Sequence, residues 1–458
     1  MRRVSGGHLH CGFHSGDSLL TVAVLGLGVA GVAVARALRN RGIPVLMADD
    51  HPVASHQALA EAIGADVVSV TDLQRSVTPC EFLVPAPGVP PHHPVVERAL
   101  AAGVEVVSEI ELAYRWETQR PTGPRPMLAV TGTDGKTTTT LMLAAVMAAA
   151  GHRCAAVGNT EVPLVSAPHD AEVLVVECSS FRLAHTRDFR PDASVWLNLA
   201  PDHLDWHGSL DGYRACKARM WASLTPSDVA VAPADDALIT GLARASGGRV
   251  VTFGGAVGDY VVRDDALHGP TGRIMSTSAM SRSMRHDVTN ALACCAVSIE
   301  SGLATAEHVA AALASFRHAP HRIEFVAESD GVAWYDDSKA TSPHAASVAL
   351  EAFARIVLIA GGRNKHLDLS SMVRPSVVAV VAIGSSAGEV EDAFSGHCPV
   401  VRATSMEDAV NAAGALASAG DTVLLSPGCT SLDWYSHYGE RGDHFARLVR
   451  QRLAGRWT

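Results

Sequence analysis

Nothing in this chain approaches the roughly 18 consecutive apolar residues that a bilayer-spanning helix needs, so no membrane span is expected. The first 20 residues carry two arginines but no continuous apolar core, and do not read as a signal peptide. There is no CxxC pair. The nine cysteines are odd in number and irregularly spaced, which excludes a simple disulfide framework, and adjacent Cys294 and Cys295 cannot bridge without strain. Positive charge is also short: Lys and Arg total 37 against 47 Asp and Glu, a net charge of -10. That balance argues against general nucleic-acid binding, and any anionic substrate requires a locally positive site. Reduced thiols without a membrane span or signal peptide lead to a cytoplasmic expectation. His8, His10, Cys11 and His14 could be taken for a metal cluster, but residues 1–20 read more simply as a disordered extension.

What is present is apolar and rhythmic. Hydrophobic residues make up 48% of the 458 and charged residues 18%, enough for packed cores. At about 100–200 residues per domain, the length suggests two to four domains. TVAVLGLGVAG, from Thr21, is an apolar strand running into a glycine turn, followed by helical spacing that stops at Gly42. The β-α rhythm continues to about residue 118, and the proline-rich TQRPTGPRP reads as a linker. A second unit, 126–316, opens with MLAVT and carries the buried-type strands VLVVE and SVWLNL, which suggest a mainly parallel sheet. Within it, about 244–283 reads as short strands and loops. A third unit, 318–458, carries WYDDS, RIVLIAGG, VVAVVAIG and DTVLLSPG, and ends in a helix with Phe445, Leu448, Val449 and Leu453 on one face. The expected architecture is α/β throughout, in three domains, the first and last Rossmann-like and the middle one a phosphate-loop domain.

The strongest local signal is VTGTDGKTTTT, Val130 to Thr140, which follows a strand and opens a helix. Glycines let backbone N–H groups converge on phosphate oxygens, and the helix amino end adds a favourable dipole. Lys136 can neutralise terminal phosphates, and Thr137 can offer a hydroxyl to Mg²⁺. The common G-x-x-x-x-G-K-[ST] pattern wants glycine where this chain has Val130. Glu177 closes a buried strand at the end where open α/β sheets place ligands. His203 follows another strand, and Lys217 lies on the next helix. Taken alone, a strand-end Glu is an ordinary surface residue and Lys217 a solvated helix lysine.

In combination these segments resemble the Mur ligases. TGTDGKTTTT is similar to the family's TGTNGK[ST]T loop, ECSSF to its ELSSF segment, and NLAPDHLDWHGS with the Lys217 helix to its third motif. The resemblance continues through HDVTNALAC, His321–Arg322, DDSKATSP and SPGCTSLDWYSHYGERGDHF, and spans nearly everything after Thr21. It points to the branch that joins glutamate to UDP-N-acetylmuramoyl-L-alanine in peptidoglycan precursor synthesis. The implied reaction uses ATP to convert the alanyl carboxylate to an acyl phosphate, which the glutamate amine attacks, leaving an amide, ADP and phosphate.

The resemblance also implies roles. Gly132, Thr133, Asp134, Gly135, Lys136, Thr137 and Thr138 would bind ATP, with Asn290 on adenine and Arg322 and Asp337 reaching in from the third domain. Lys136, Glu177, His203, Lys217, Arg322, Asp337 and Lys339 would be catalytic. Thr137, Glu177, His203 and a carbamylated Lys217 would hold two Mg²⁺ ions, which Mn²⁺ can replace. Gly28, Val29, Ala30, Asp50, Pro87, Gly88, Asn159 and His203 would contact the UDP precursor, and Thr341, Lys365, Ser431, Leu432 and Tyr438 the glutamate. Read without the resemblance, Asp337 and Lys339 are equally a surface charge pair. Domain closure is expected to form part of the mechanism. The implied partners are the UDP precursor, glutamate and ATP, with no nucleic acid or membrane, and a monomer is expected.

Several positions depart from the family pattern. Asp134 and Asp287 stand for Asn, Arg182 for Gln, Glu161 for Gly and Ser342 for Asn, and His51 and Ala86 also differ. A carboxylate at Asp134 would face phosphate unless it points away. These changes keep open an L-glutamate-adding variant and a relative such as a folylpolyglutamate synthase. GLGVAG with Asp49 and Asp50 is also a dinucleotide fingerprint, so an NAD-dependent dehydrogenase is the rival from another class.

Overall fold

The computed structural model describes residues 21–455, so the early histidines and Cys11 lie outside the described residues. Three large sheets follow one another along the chain, with one small three-stranded sheet between the second and third. Among the described residues no helix is long and apolar enough to cross a membrane.

The first sheet has five parallel strands. Val22–Leu25 sits between Val45–Ala48 and Phe82–Pro85, and the short strands Asp66–Val67 and Glu105–Val106 form the edges. Strand order reverses at Val22–Leu25, so the glycine turn after it opens into the crevice between diverging connections. Gly26 is required there: its φ is +87°, and a Cβ would lie 2.9 Å from Ala86 Cβ.

The second sheet has six strands, all parallel, with Met127–Thr131 between Val173–Glu177 and Ala193–Trp196. Each of these three strands is buried along its whole length, because helices cover both faces. The helix Lys136–Ala149 packs on one face with Arg285–Glu300 and Ala306–Ser315. The stretch read as short strands and loops contains the outermost strand of this sheet, Arg249–Phe253, and an antiparallel three-stranded sheet, Val261–Arg263, Ala266–Gly269 and Gly272–Ser276.

The third sheet is mixed. Glu324–Ser329 pairs antiparallel with Val332–Asp336, and the other pairings are parallel, with Thr422–Leu425 between Val332–Asp336 and Ile356–Gly361. The final helix, Tyr438–Leu453, begins earlier than the apolar spacing alone suggests. It buries Phe445, Leu448 and Val449 and packs Leu453 at the margin of the same cluster.

Salt-linked carboxylates tie the first sheet to the second. Buried Glu111 accepts hydrogen bonds from the backbone N–H groups of Arg187, Asp188 and Phe189. Buried Glu109 accepts from Val165 N–H at 2.8 Å and pairs with Arg182. Arg182 is the residue that departs from the family glutamine, and this pairing gives its charge a structural use.

Candidate functional site

The loop Gly132–Gly135 leaves the central strand and turns into the helix Lys136–Ala149. Gly135, at φ +79°, caps that helix, and a Cβ there would meet Asn290 Oδ1 at 2.6 Å. Asn290 therefore sits against the turn, on the neighbouring helix Arg285–Glu300. Lys136 folds its ammonium over the loop, donating to the carbonyls of Gly132 (2.9 Å) and Thr133 (2.7 Å). Thr137 is half-buried in the first helical turn, and Thr138 is buried behind it.

Sequence reading missed the residue that fixes this loop. Asn198 Oδ1 accepts from both the Thr133 and Asp134 N–H groups at 2.9 Å, and its amide donates to Asp134 O at 3.2 Å. Asn198 lies just past the strand Ala193–Trp196, and only the neighbouring parallel strands bring it to the loop. Thr133 Oγ1 is held in turn by Ala200 O and Tyr213 Oη.

Glu177 ends the strand Val173–Glu177 and is 2% exposed. Its Oε1 accepts from Asn159 Nδ2 at 2.9 Å, while its Oε2 is buried with no hydrogen-bond partner. An unsatisfied buried carboxylate oxygen is costly unless a cation completes it. Asn159, expected at the UDP precursor, thus orients Glu177. His203 has a left-handed backbone (φ 52°) at the start of the short helix Leu204–His207. Its Nε2 lies 3.3 Å from Asp202, and its ring meets Phe181 edge-on. Burial pushes its pKa below the ordinary value, which favours the neutral imidazole a metal requires.

Lys217 overturns the solvated-lysine alternative. It is 1% exposed on the helix Leu210–Ala218, and its Nζ donates to Gly132 O at 2.6 Å and Thr131 Oγ1 at 3.5 Å. Among the described residues no carboxylate forms a salt bridge with it, and the Tyr213 ring centroid is 4.5 Å away. Burial drives its pKa well below that of an ordinary lysine, and the charge of Lys136 adds to the effect.

Asp337 and Lys339 are not a surface pair. Asp337 is buried, accepting from Ser426 Oγ at 2.8 Å and Ile323 N–H at 3.3 Å. Burial raises its pKa to about 7, against the opposing influence of Ser426 and Arg322. Lys339 Nζ instead lies 3.8 Å from the Tyr438 ring centroid, and burial lowers its pKa. Arg322 follows His321, whose Nδ1 bonds Asp336 at 2.7 Å. Among the described residues His321, Glu324 and Asp336 form a group with metal-type ligand atoms, but this ion pair already satisfies its centre. Arg282 grips buried Asp287 with two nitrogens and donates to the carbonyls of Arg322 and Ile323, so the Asp287 departure anchors the chain at the Arg322 segment.

The positions expected at the glutamate site are spread over three segments of the third sheet. Thr341 is half-buried before the helix Pro343–Leu350, whose cap is Ser342, the residue that replaces Asn. Ser431 is buried, Leu432 is 58% exposed, and Tyr438 begins the last helix. Lys365 is exposed beyond the strand Ile356–Gly361, close enough for its charge to weigh on His203.

In the first sheet, Gly28 precedes the helix Val29–Asn40, and Val29 is 70% exposed at its open amino end beside Ala30. Pro87 and Gly88 follow the neighbouring strand Phe82–Pro85. The acidic pair is committed elsewhere. Asp49 accepts from the N–H groups of Leu27 and His51, and Asp50 meets His93 Nε2 at 3.2 Å. The carboxylate that a ribose-binding dehydrogenase needs free is therefore part of the glycine turn.

Three family models match the chain: Mur ligase MurD-like, N-terminal domain, over residues 20–108; Mur ligase middle domain, over 130–298; and Mur ligase, glutamate ligase domain, over 321–429. The chain is 43% identical over 455 residues to the UDP-N-acetylmuramoylalanine--D-glutamate ligase of Frankia casuarinae, with 94% of each chain covered. It is 37% identical over 468 residues to the protein of the same name from Thermobifida fusca, covering 95% of this chain and 98% of the relative. In fold it resembles the ADP complex of MurF ligase from Thermotoga maritima (TM-score 0.59, 17% identity, covering 79% and 92% of the two chains). It also resembles UDP-N-acetylmuramate-alanine ligase MurC from that organism (TM-score 0.57, 19% identity, covering 95% and 99%). Identity sustained across all three sheets, together with the phosphate loop and its buried lysine, establishes that the chain belongs to the Mur ligase family, in its MurD-like branch.

Proposed function

We propose that this chain is an ATP-dependent ligase that adds D-glutamate to UDP-N-acetylmuramoyl-L-alanine. The relatives that match along its whole length carry that name, which favours the D isomer over L-glutamate or a folate substrate. The observation that carries the reading is the convergence on one phosphate loop. Lys136, Glu177 and Lys217 come from the second sheet, and Arg322 and Lys339 arrive from the third.

The residues divide the work by charge. The backbone N–H groups at the start of the helix Lys136–Ala149 and the Lys136 ammonium bind the terminal phosphates of ATP. Arg322 and Lys339 stabilise charge that develops as the γ-phosphoryl passes to the alanyl carboxylate. The acyl phosphate is then attacked by the glutamate amine, whose carboxylates are held by Lys365, Thr341 and the Ser431–Leu432 segment. Phosphate departs as the amide forms. Gly28, Val29, Ala30, Pro87 and Gly88 hold the UDP diphosphate at the first glycine turn.

Divalent cations suit the donors present. The unpartnered Glu177 Oε2 and the neutral-leaning His203 fit one, with Thr137 beside Lys136. When bound, Mg²⁺ supplies charge neutralisation to the phosphates. Burial lowers the Lys217 pKa and so eases loss of the proton that attack on CO₂ requires; Lys217 fits carbamylation, which would convert it to an anion able to serve a second ion.

The test is phosphate release from ATP with UDP-N-acetylmuramoyl-L-alanine and, in parallel, D-glutamate, L-glutamate or no amino acid. Release dependent on D-glutamate is expected. Release with L-glutamate alone would reassign the isomer, and none with either would refute the substrate.

A further inference from the structure

Asp134 is the departure that most threatens the phosphate loop, because it puts a carboxylate where a polyphosphate must lie. The backbone cannot move to relieve this, since Asn198 holds both its N–H and its carbonyl. The side chain instead turns to the third sheet's unit, where its Oδ2 meets Nδ1 of His344, 210 residues away. His344 is the second residue of the helix Pro343–Leu350, so the carboxylate also lies at the amino end of a helix, where negative charge is favoured. The other charges that bear on this contact are Lys136 and Arg322 beside Asp134, and Asp202 and Glu351 beside His344.

We propose that His344 is a positioning residue for the ligase reaction: by taking the Asp134 carboxylate it docks the third unit onto the phosphate loop and delivers Lys339 to the reacting phosphate and Thr341 to the glutamate beside it. Those two residues lie five and three positions before His344, on the strand-to-helix connection that the contact holds. Asp134 thereby changes from a repulsive neighbour of the phosphates to the loop's half of an interdomain contact. The proposal rests on the ligase reading for its kinetic arm and on geometry alone for its structural arm.

The experiment compares the full chain with the variants His344→Ala, Asp134→Ala, Asp134→Asn and the double alanine variant, each first checked for an unchanged melting temperature. Affinity for a non-hydrolysable ATP analogue is measured by calorimetry without amino acid, and turnover by phosphate release. His344→Ala is expected to lower turnover roughly tenfold, the loss of one charge-assisted hydrogen bond, with analogue affinity changed less than about twofold. In the Asp134→Ala background it should cost nothing further. Asp134→Asn, whose amide still reaches the imidazole, should lose less turnover than Asp134→Ala. Independent, multiplying losses would overturn the proposal, as would analogue affinity falling in step with turnover. Amide hydrogen exchange at residues 132–135 supplies the arm that needs no substrate. Faster exchange in His344→Ala supports the contact even if the chain turns over a different substrate, and unchanged exchange refutes it.

Discussion

Replacing Lys217 by methionine should abolish ligase turnover and stabilise the protein at the same time. The methionine keeps the length and most of the volume of the side chain while removing the amine. In the native fold that amine is fully buried against Gly132 O and Thr131 Oγ1, with no carboxylate among the described residues paired to it. Burying an amine without a paired carboxylate costs stability, because desolvation penalises its charged form. Part of that returns through the two hydrogen bonds, which are worth about 1 kcal/mol each. Methionine forfeits them and leaves Gly132 O to other donors. A net gain of even about 1 kcal/mol raises the melting temperature by roughly 2–4 °C in a unit of this size. The sign also sets the pH dependence. Because the folded pKa of Lys217 is depressed, the unfolded chain binds the extra proton between the folded value and the ordinary 10.5, so wild-type stability rises with pH across that window. The methionine variant should lose this slope. Thermal unfolding at pH 6, 7.5 and 9, with and without bicarbonate, reads both effects, and bicarbonate should shift only the wild type if the amine captures CO₂. A variant that melts lower than wild type at neutral pH would refute the burial argument, and one that retains turnover would remove Lys217 from the reaction.

Three further outcomes follow from the same packing. Glu177→Gln keeps an acceptor for Asn159 but removes charge from the unpartnered Oε2; turnover in the phosphate-release assay should fall about 100-fold or more without a lower melting temperature. Arg182→Ala strands the buried Glu109 and should cost about 3–5 kcal/mol in denaturant unfolding, whereas Glu109→Gln with Arg182→Gln should recover most of it. Asp337, raised to about 7, binds its proton more tightly in the fold than in the unfolded chain. Stability should therefore fall as pH rises from about 4 to 7, by up to roughly 4 kcal/mol, and calorimetry on Asp337→Asn should show that slope removed.

The parts legible in the sequence were those whose signal is local. The loop Gly132–Lys136 announces itself because φ-permissive glycines, a lysine and a helix start lie within a few residues. The buried parallel strands are equally plain as short apolar runs. Lys217 was not legible bottom-up: its burial is created by a carbonyl 85 residues away, and on its own helix it has the spacing of a solvated residue. Asn198 gave no signal, since its role depends on two strands lying side by side. Asp49 misled for a related reason. An acid at a strand end can reach a ribose or cap the adjoining turn, and only the turn geometry decides between them.

Three of the departures from the family pattern share one physical logic. Asp134, Arg182 and Asp287 each put a full charge where an amide is usual, and each has acquired an opposite charge: His344, Glu109 and Arg282. Ser342 replaces an amide with a hydroxyl that caps the helix Pro343–Leu350. Two of the charge pairs connect segments of different sheets. The third also grips the carbonyls of Arg322 and Ile323, where the chain enters the last sheet. None of these substitutions replaces Lys136, Glu177, His203 or Lys217. The residues proposed to carry the chemistry are therefore all kept, while three of the contacts around them are ionic. Buried or partly buried pairs of this kind are directional and fail sharply when one partner is removed. A single alanine at His344, Arg182 or Arg282 should consequently do more harm than replacing both members of its pair with amides, and that ordering distinguishes a rewired set of junctions from scattered neutral drift.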